Sequence, residues 1–273
     1  MYSINYSERE LNSLESVAMH AAEEVAPILK ENFGKTAHAN KTGARDWVTQ
    51  WDTWAEEQIT DKLQKFDADI GILGEEHGSM GDTSVYWTID AIDGTGGFVR
   101  GIDTCTTMLA LVDHGRPVVS VIHDFVRGDQ YTAVAGGGAY VNGVKSLRVS
   151  SRPMQEAYVE TYIPLDQPVG ERASSMIREA GAFILQTASA GHMFAQVARG
   201  ATEGFIGLEN PYATVWDYAP GALLVHEAGG MVRNIGSEAG YTVDRFDMIA
   251  SNQSVYSSLA DIALQSKQSP GES

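Results

Sequence analysis

The sequence predicts a layered α/β protein, and three patterns support this fold class. Apolar residues near the N-terminus recur at helical spacing, short apolar runs replace them from about residue 70, and helical and extended patterns alternate after about residue 155. Because helices and sheets each bury an apolar face against a neighbour, such a succession is typical of stacked layers. The hydrophobic content of 43% in 273 residues is sufficient for a large core.

The N-terminal segment predicts two helices. Ser7 and Glu10 form a capping box, which marks the start of a helix that continues to Gly34. Pro27 is expected to kink or shorten this helix, because proline lacks the amide proton of the helical hydrogen bond. A second helix is expected from about Asp52 to Lys65.

Residues from about 70 to 150 predict a mostly antiparallel sheet that these two helices cover. The expected strands are IGIL (70–73), VYWTI (85–89), TTMLALV (106–112), PVVSVIHD (117–124), DQYTAVA (129–135) and AYV (139–141). Asn142-Gly143 is a strong turn signal, which predicts a hairpin with Leu147–Val149 as its second arm.

The second half alternates between strands and helices. The expected order is strand 157–162, helix 170–180, strand 183–187, helix 191–199, strand 203–208, helix 217–228, strands 230–234 and 247–251, and a last helix. A soft boundary near 150–155 predicts an N-terminal lobe (1–150) and a C-terminal lobe (151–273) that form one compact unit.

Composition argues against several functional classes. The formal net charge of -17 disfavours a nucleic-acid partner, which would need clustered Lys and Arg. The single cysteine, Cys105, excludes an internal disulfide and a cysteine-based zinc cluster, and is expected to be a buried core residue. No segment approaches the roughly 18 apolar residues of a membrane helix, and the N-terminus lacks a secretory pattern, so we expect no membrane partner and a cytoplasmic location.

Common catalytic motifs are incomplete or missing. GGGAYVNG (136–143) has Val141 where a dinucleotide loop needs its third glycine, and HEAGG (226–230) has Gly230 where a zinc-protease helix needs its second histidine. The sequence contains neither a phosphate-binding Gly-x-x-x-x-Gly-Lys-Ser/Thr loop nor a Gly-x-Ser-x-Gly elbow.

Acidic residues stand instead at the ends of predicted elements, where clefts are usually built. Glu75 follows the strand IGIL, Asp90 and Asp93 follow VYWTI, and Asp217 opens a helix. Two like charges at about 4 Å cost roughly 4 kcal/mol at an effective dielectric constant of about 20, so these acids either share a cation or do not converge. An all-oxygen ligand set favours Mg²⁺ over zinc or copper.

The glycines after Asp93 favour an anion-binding turn. Gly94, Gly96 and Gly97 allow backbone amides to approach an anion, and Thr95 adds a hydroxyl group. An isolated Asp-x-x-Asp-Gly segment is also a common structural turn, and the spatial convergence of the acids is not visible in the sequence.

Five segments together resemble the inositol monophosphatase family. They are KTGARDWVTQWD (41–52), GEE (74–76), W-x-I-D-x-I-D-G-T-x-x-F-x-x-G (87–101), GGGAYVNGVKSLRVSS (136–151) and WDYAPGALLVHEAGG (216–230). The similarity covers about residues 41–252. It implies an αβαβα sandwich and a Mg²⁺-dependent, lithium-sensitive phosphatase that forms a homodimer.

The resemblance also implies a set of metal ligands. Glu75, Asp90 and the backbone carbonyl of Ile92 would hold one Mg²⁺, and Asp90, Asp93 and Asp217 would hold a second. A weaker third ion is expected near Glu75.

Further roles follow from the same resemblance. Asp52 and Thr95 would orient the attacking water, with Glu75 as a further catalytic residue, and the backbone amides of Gly94 and Thr95 would bind the phosphate. Ala91 departs from the family, which usually has proline between the two aspartates, and this removes a fixed φ angle from the turn.

Residues for substrate choice are less clear in the sequence. Arg100 is a candidate contact for the leaving group or a member of a surface salt bridge. Glu209 is a candidate contact for a hydroxylated substrate or a solvated loop acid, and His192 is a candidate cleft residue or a structural histidine.

The leading functional hypothesis is hydrolysis of a small phosphorylated metabolite, such as inositol 1-phosphate or a related polyol or sugar phosphate. Histidinol phosphate is an alternative, because FVRG (98–101) also resembles the histidinol-phosphatase branch. A fructose 1,6-bisphosphate or 3'-phosphonucleotide phosphatase is disfavoured by the few Lys and Arg near the motifs. A non-catalytic metal- or phosphoinositide-binding protein is a further alternative, which only Ala91 supports.

Overall fold

The computed structural model describes residues 6–40, 47–237 and 240–268. Residues 41–46 of the segment KTGARDWVTQWD (41–52), and the ends of the two predicted lobes at 1–5 and 269–273, lie outside these ranges.

The described residues form seven α-helices and fifteen strands. The helices are α1 (Glu8–Asn32), α2 (Gln50–Phe66), α3 (Thr95–Arg100), α4 (Pro168–Glu179), α5 (Ala190–Ala198), α6 (Val215–Glu227) and α7 (Gln253–Lys267), with a 3-10 turn at Met154–Glu156. The strands are β1 (Ala39–Asn40), β2 (Trp47–Val48), β3 (Gly71–Gly74), β4 (Gly78–Met80), β5 (Val85–Asp93), β6 (Thr106–Asp113), β7 (Arg116–Asp124), β8 (Asp129–Val134), β9 (Gly138–Val141), β10 (Lys145–Ser146), β11 (Tyr158–Tyr162), β12 (Phe183–Leu185), β13 (Gly204–Gly207), β14 (Met231–Asn234) and β15 (Met248–Ser251).

Two large sheets organise these strands. The first has the order β10-β9-β8-β7-β6-β5-β3-β4 and is antiparallel except for the parallel pair β3–β5. The second has the order β12-β11-β13-β15-β14, in which β11 runs parallel to both of its neighbours. β1 and β2 form a separate two-stranded antiparallel pair.

Three apolar cores define five layers. α1 and α2 pack on one face of the first sheet, around Ile59 and Trp87. α5 and α6 lie between the sheets, because one core joins Ile122 of the first sheet, Phe194 of α5 and Phe205 of the second sheet. The apolar faces of α4 and α7 share a third core with the second sheet. The layered αβαβα architecture is therefore confirmed, and none of the described helices combines the length and apolarity needed to cross a membrane.

Local chemistry explains where the elements begin and how they differ from the prediction. Ser7 caps α1 as expected, and the helix continues past Pro27, so the predicted shortening is wrong. The buried side chains of Val25 and Leu29 anchor the helix on both sides of the proline. β10 begins at Lys145, two residues before the predicted arm, because Asn142-Gly143 forms a tight turn that pairs the chain at once.

β11 carries a buried acid that the sequence did not single out. The side chain of Glu160 is 1% exposed, and its Oε2 has no hydrogen-bond partner within the described part of the chain. Burial raises the pKa of Glu160 from 4.5 to about 7, because an ionised carboxylate is poorly solvated there.

This burial predicts a pH-dependent effect of Glu160→Gln on stability. The folded protein holds the Glu160 proton up to about pH 7, whereas the unfolded chain releases it near pH 4.5, so stability is lost as the pH rises through this window. We expect Glu160→Gln to raise the free energy of unfolding by roughly 3 kcal/mol at pH 8 and by less than about 1 kcal/mol at pH 5.

Urea unfolding at the two pH values measures this difference. Glu156→Gln, at an exposed position nearby, is the control and should change little at either pH. Equal stability of Glu160→Gln and the unsubstituted protein at pH 8 would contradict the prediction.

Candidate active site

Three aspartates converge where β5 ends and α6 begins. One carboxylate oxygen from each of Asp90, Asp93 and Asp217 lies within 4.8 Å of the other two. The three side chains are 4%, 4% and 7% exposed, respectively. We refer to these three residues as the acidic cluster.

A β-bulge allows Asp90 and Asp93 to belong to the same cluster. Residues three apart on a regular strand point to opposite faces of the sheet. Asp90 pairs with Met108 and Asp93 with Thr106, so the register between β5 and β6 shifts by one residue between the two acids. Such an extra residue redirects the side chains that follow it.

Hydrogen bonds hold the turn between these two acids. Asp90 Oδ1 accepts from the amide N of Ile92 at 3.1 Å, and the Ala91 carbonyl accepts from Thr107 Oγ1 at 2.9 Å. Ala91 is 2% exposed. The turn is therefore constrained by these contacts although Ala91 does not have the fixed φ angle of proline.

Asp93 is the most heavily hydrogen-bonded acid of the cluster. Its Oδ2 accepts from Thr106 Oγ1 at 2.9 Å, Ser189 Oγ at 2.6 Å and the amide N of Gly191 at 2.7 Å, and its Oδ1 accepts from the amide N of Ala190 at 3.0 Å. Burial raises its pKa, and these bonds partly offset the rise. The N-terminus of α5 thus stabilises a carboxylate on the first sheet.

Asp217 is held by the N-terminus of its own helix. Its Oδ2 accepts from the amide N and Oγ1 of Thr214 at 2.6 and 2.8 Å, in a capping box. Both bonds use Oδ2, which leaves Oδ1 available as a ligand. Burial, followed by the charges of Asp93 and Glu75, raises the pKa of Asp217 to about 8.

The electrostatics of the acidic cluster fit a hard divalent cation. Burial raises the pKa of Asp90 well above its usual range, and the charges of Glu75, Asp93 and Asp217 raise it further. Carboxylates that are buried together and repel one another bind protons or a cation, and an all-oxygen donor set suits Mg²⁺. The residues present therefore fit a magnesium ion.

Glu75 lies next to this cluster but outside the group of three that meets within 4.8 Å. It follows β3, and its amide N donates to the Ile89 carbonyl at 3.1 Å. Its charge raises the pKa of Asp90, Asp217 and Asp52, which locates it near all three.

Sequence reasoning missed Glu56, which supports the segment after Glu75. Its buried carboxylate accepts from the amide N of Glu76 at 2.8 Å, the amide N of His77 at 2.9 Å and His77 Nδ1 at 2.8 Å. No local pattern identifies this role, because the partners are about 20 residues away. Ser189 and Thr49 were also missed, although each precedes a predicted helix and is a residue type that caps helices.

Asp52 and Thr95 form a hydrogen-bonded pair beside the acidic cluster. Thr95 Oγ1 lies 2.9 Å from Asp52 Oδ1 and 3.0 Å from the carbonyl O of Ile92. Asp52 Oδ2 accepts from the amide N and Oγ1 of Thr49, the N-cap of α2. Burial raises the pKa of Asp52 to about 6, the bonds from Thr49 and Thr95 lower it, and Glu75 raises it.

The segment after Asp93 forms a short helix, α3, where the sequence indicated a turn. Gly94 is its N-cap and has φ of 83°. A Cβ atom at Gly94 would lie 3.1 Å from Ser189 Cβ and 3.3 Å from the Ala188 carbonyl O. Glycine is required here for both its conformation and its close contact with the segment that leads into α5.

The comparison with known proteins identifies the family. A model of the inositol monophosphatase family matches residues 10–268. The chain belongs to the inositol monophosphatase family. The resemblance found in the sequence is therefore confirmed.

Individual family members agree with this assignment. The protein named Nus factor SuhB of Xylella fastidiosa is 30% identical over 267 residues, which are 92% of this chain and 94% of that protein. The Nus factor SuhB of Escherichia coli is 32% identical over 229 residues, 80% of this chain and 83% of its own. The structure of an IMPase of Thermotoga maritima matches with a TM-score of 0.83 and 28% identity, covering 92% of this chain and 96% of that chain. Family membership supports a phosphatase and, in general, a magnesium site.

The structure of this chain shows which groups surround the three candidate substrate contacts. The Arg100 guanidinium lies 3.8 Å above the Trp47 ring and donates to the Gly96 carbonyl. Glu209 is exposed, and its amide N donates to Asp247 Oδ1 at 2.7 Å. His192 lines a separate cavity, described below.

We expect Asp90→Asn to raise the thermal stability in the absence of metal and to remove most of the stabilisation by Mg²⁺. In EDTA at pH 8, Asp90→Asn should raise Tm, because it removes a buried carboxyl group that resists ionisation; each kcal/mol corresponds to roughly 2–4 °C in a chain of this size. Mg²⁺ at about 100 times its Kd should stabilise the unsubstituted protein by roughly 2.7 kcal/mol but should have little effect on Asp90→Asn.

Thermal unfolding in EDTA and in MgCl₂ measures both effects. Asp61→Asn is the matched control, since the side chain of Asp61 is 72% exposed. A full Mg²⁺ response of Asp90→Asn would show that the ion binds elsewhere.

Proposed function

We propose that the protein is a Mg²⁺-dependent phosphomonoesterase that acts on a small polyol or sugar phosphate, such as inositol 1-phosphate. The main supporting observation is the burial of Asp90, Asp93 and Asp217 with their oxygens within 4.8 Å of one another. A charged cluster of this kind would destabilise the fold unless a cation binds there.

The proposed magnesium ligands follow the family pattern and are consistent with the geometry. Glu75, Asp90 and the carbonyl of Ile92 hold one ion, and Asp90, Asp93 and Asp217 hold a second, with a weaker third ion near Glu75. When bound, magnesium supplies Lewis acidity, which polarises the phosphoryl group and lowers the pKa of water.

Asp52 and Thr95 orient the attacking water in this proposal, and Glu75 assists them. Thr95 has a single hydroxyl proton, which it shares between the Asp52 carboxylate and the Ile92 carbonyl. Its lone pairs accept a proton from a water molecule, while its own proton moves towards Asp52. With a pKa of about 6, Asp52 is mostly ionised at neutral pH and able to take that proton.

The backbone amides of Gly94 and Thr95 bind the phosphate in this arrangement. They stand at the start of α3, and Gly94 has the left-handed conformation that allows a close approach of the backbone. A side chain at Gly94 would meet Ser189, which donates to Asp93. The phosphate contact and the acidic cluster therefore depend on the same local packing.

Removal of the Thr95 hydroxyl tests the proposed proton transfer. Thr95→Val should lower kcat by about 10²–10⁴-fold, because the water loses its hydrogen-bonded route to Asp52. Thr95→Ser retains the hydroxyl group and should retain most of the activity. The Mg²⁺-induced rise in Tm should be the same in both variants, since neither changes a proposed carboxylate ligand. Equal kcat values for the two variants would exclude this role for Thr95.

A substrate panel tests the choice of ester. Values of kcat/KM with Mg²⁺ should be highest for inositol 1-phosphate or a related polyol phosphate, and lower for histidinol phosphate, fructose 1,6-bisphosphate and a 3'-phosphonucleotide. Arg100, His192 and Glu209 are the proposed substrate contacts. Protein that binds Mg²⁺ but releases no phosphate from any ester would favour the non-catalytic alternative. We also propose a homodimer and inhibition by lithium, which the family resemblance supports, and a cytoplasmic location, which rests on the N-terminal sequence pattern alone.

The names of the relatives favour a second candidate function, a role in transcription. The relatives that are 30% and 32% identical are named Nus factors. The net charge of -17 disfavours direct contact with RNA and favours a basic protein surface as the partner. Binding to purified RNA polymerase, measured in parallel with binding to RNA alone, distinguishes these two modes, and binding to neither would reject this second function.

A further inference from the structure

A cavity with several charged residues in its lining lies between the first sheet, β11, β12 and α5. Its volume is about 310 Å³, and its lining includes Asp124, Arg127, Glu160, His192 and Arg199. None of the proposed magnesium ligands contributes to this lining.

The cavity borders the acidic cluster through one shared residue. Thr106 lines the cavity and also donates its Oγ1 proton to Asp93. The site proposed here is therefore adjacent to the catalytic centre and shares with it Thr106 and the proposed substrate contact His192, but it contains none of the proposed magnesium ligands.

Three buried side-chain oxygens in this lining have no partner in the described protein. They are Oε2 of Glu160, Oγ1 of Thr187 and Oγ1 of Thr202. Glu160 and Thr202 are 1% and 5% exposed. Buried polar atoms in folded proteins are normally hydrogen-bonded, so this concentration in one cavity indicates a polar ligand.

The charges around the cavity are only partly paired. Arg127 Nη1 binds Asp124 Oδ2 at 2.8 Å, so these two residues neutralise each other. Arg199 is exposed, donates from Nε to Gln196 Oε1 at 2.9 Å and also hydrogen-bonds Tyr131, and no ion pair with an acid is found for it in the described ranges. Glu160 likewise has no cationic partner there. A buried carboxylate and an exposed guanidinium group, neither with an oppositely charged partner in the described ranges, thus remain for a ligand.

The pKa of His192 depends on the charged groups around this cavity. Burial lowers the pKa of His192, the positive charges of Arg127 and Arg199 lower it further, and the negative charges of Asp124 and Asp103 raise it. Because Arg127 is paired with Asp124 and Asp103, Arg199 is the cation that favours an anionic ligand group on that side of the cavity.

We infer that this cavity binds a small α-amino acid, whose ammonium group pairs with Glu160 and whose carboxylate pairs with Arg199. The hydroxyl groups of Thr187 and Thr202 accept the remaining ammonium protons. The volume is at the lower end of the range for ligand pockets, about 300–1,000 Å³, which suits a molecule of this size.

Binding of the twenty standard amino acids to the full chain tests this inference. Each is added at about 10 mM, which is ten times a millimolar Kd, and positives in a thermal-shift assay are followed by calorimetry. At least one amino acid should bind, and Glu160→Gln and Arg199→Gln should each weaken it by about tenfold or more.

Three controls make the result specific. Glu156→Gln, which changes an exposed acid outside the cavity, should bind like the unsubstituted protein. Asp90→Asn should also bind normally, because the cavity does not use the acidic cluster, so a failure of the proposed phosphatase would not affect this result. Ethanolamine and glycolate, which each carry only one of the two charges, should bind more weakly than the amino acid.

Three outcomes would overturn the inference. They are the absence of binding by every amino acid, equal affinity of Glu160→Gln or Arg199→Gln and the unsubstituted protein, and a crystal grown with the amino acid that shows only water in the cavity.

Discussion

Repulsion among buried carboxylates is the constraint around which this protein is organised. Asp90, Asp93 and Asp217 are each less than 10% exposed and meet within 4.8 Å. Burial raises the pKa of all three, and neighbouring carboxylate charges raise the pKa of Asp90 and Asp217 further, so the fold must supply compensation. Hydrogen bonds within the chain provide part of this compensation. Because the donor set consists of oxygen atoms, we expect a divalent cation to provide the remainder.

Helix N-termini supply the internal part of this compensation. Asp52 and Asp217 each occupy the third position of a helix and accept bonds from its N-cap threonine, while Asp93 accepts from the first amides of α5. The positive end of a helix dipole stabilises a nearby carboxylate. The N-termini of three helices, α2 in the outer layer and α5 and α6 between the sheets, therefore lie near one region, and the layered fold explains how distant acids are collected.

The cavity at Glu160 shows the opposite arrangement. This carboxylate is buried without the hydrogen bonds that hold Asp93, although both lie close to α5. Uncompensated burial of an acid reduces stability at neutral pH. Such a residue is more readily explained by a bound partner than by a contribution to the fold, and the presence of the Arg199 guanidinium group, which has no acidic partner in the described ranges, in the same lining agrees with this interpretation.

The sequence by itself determined the fold class, the family and the order of nearly all the elements, because apolar periodicity and capping residues act locally. The Ser7 capping box and the Asn142-Gly143 turn could be recognised without a structure, since each needs only neighbouring residues. Only the tertiary structure decided what depends on contacts between distant residues. The bulge in β5, the four donors to Asp93 and the support from Glu56 involve partners from about 15 to nearly 100 residues away. His192 and Glu160 line one cavity although they belong to different elements, α5 and β11, and no local pattern in the sequence encodes this proximity.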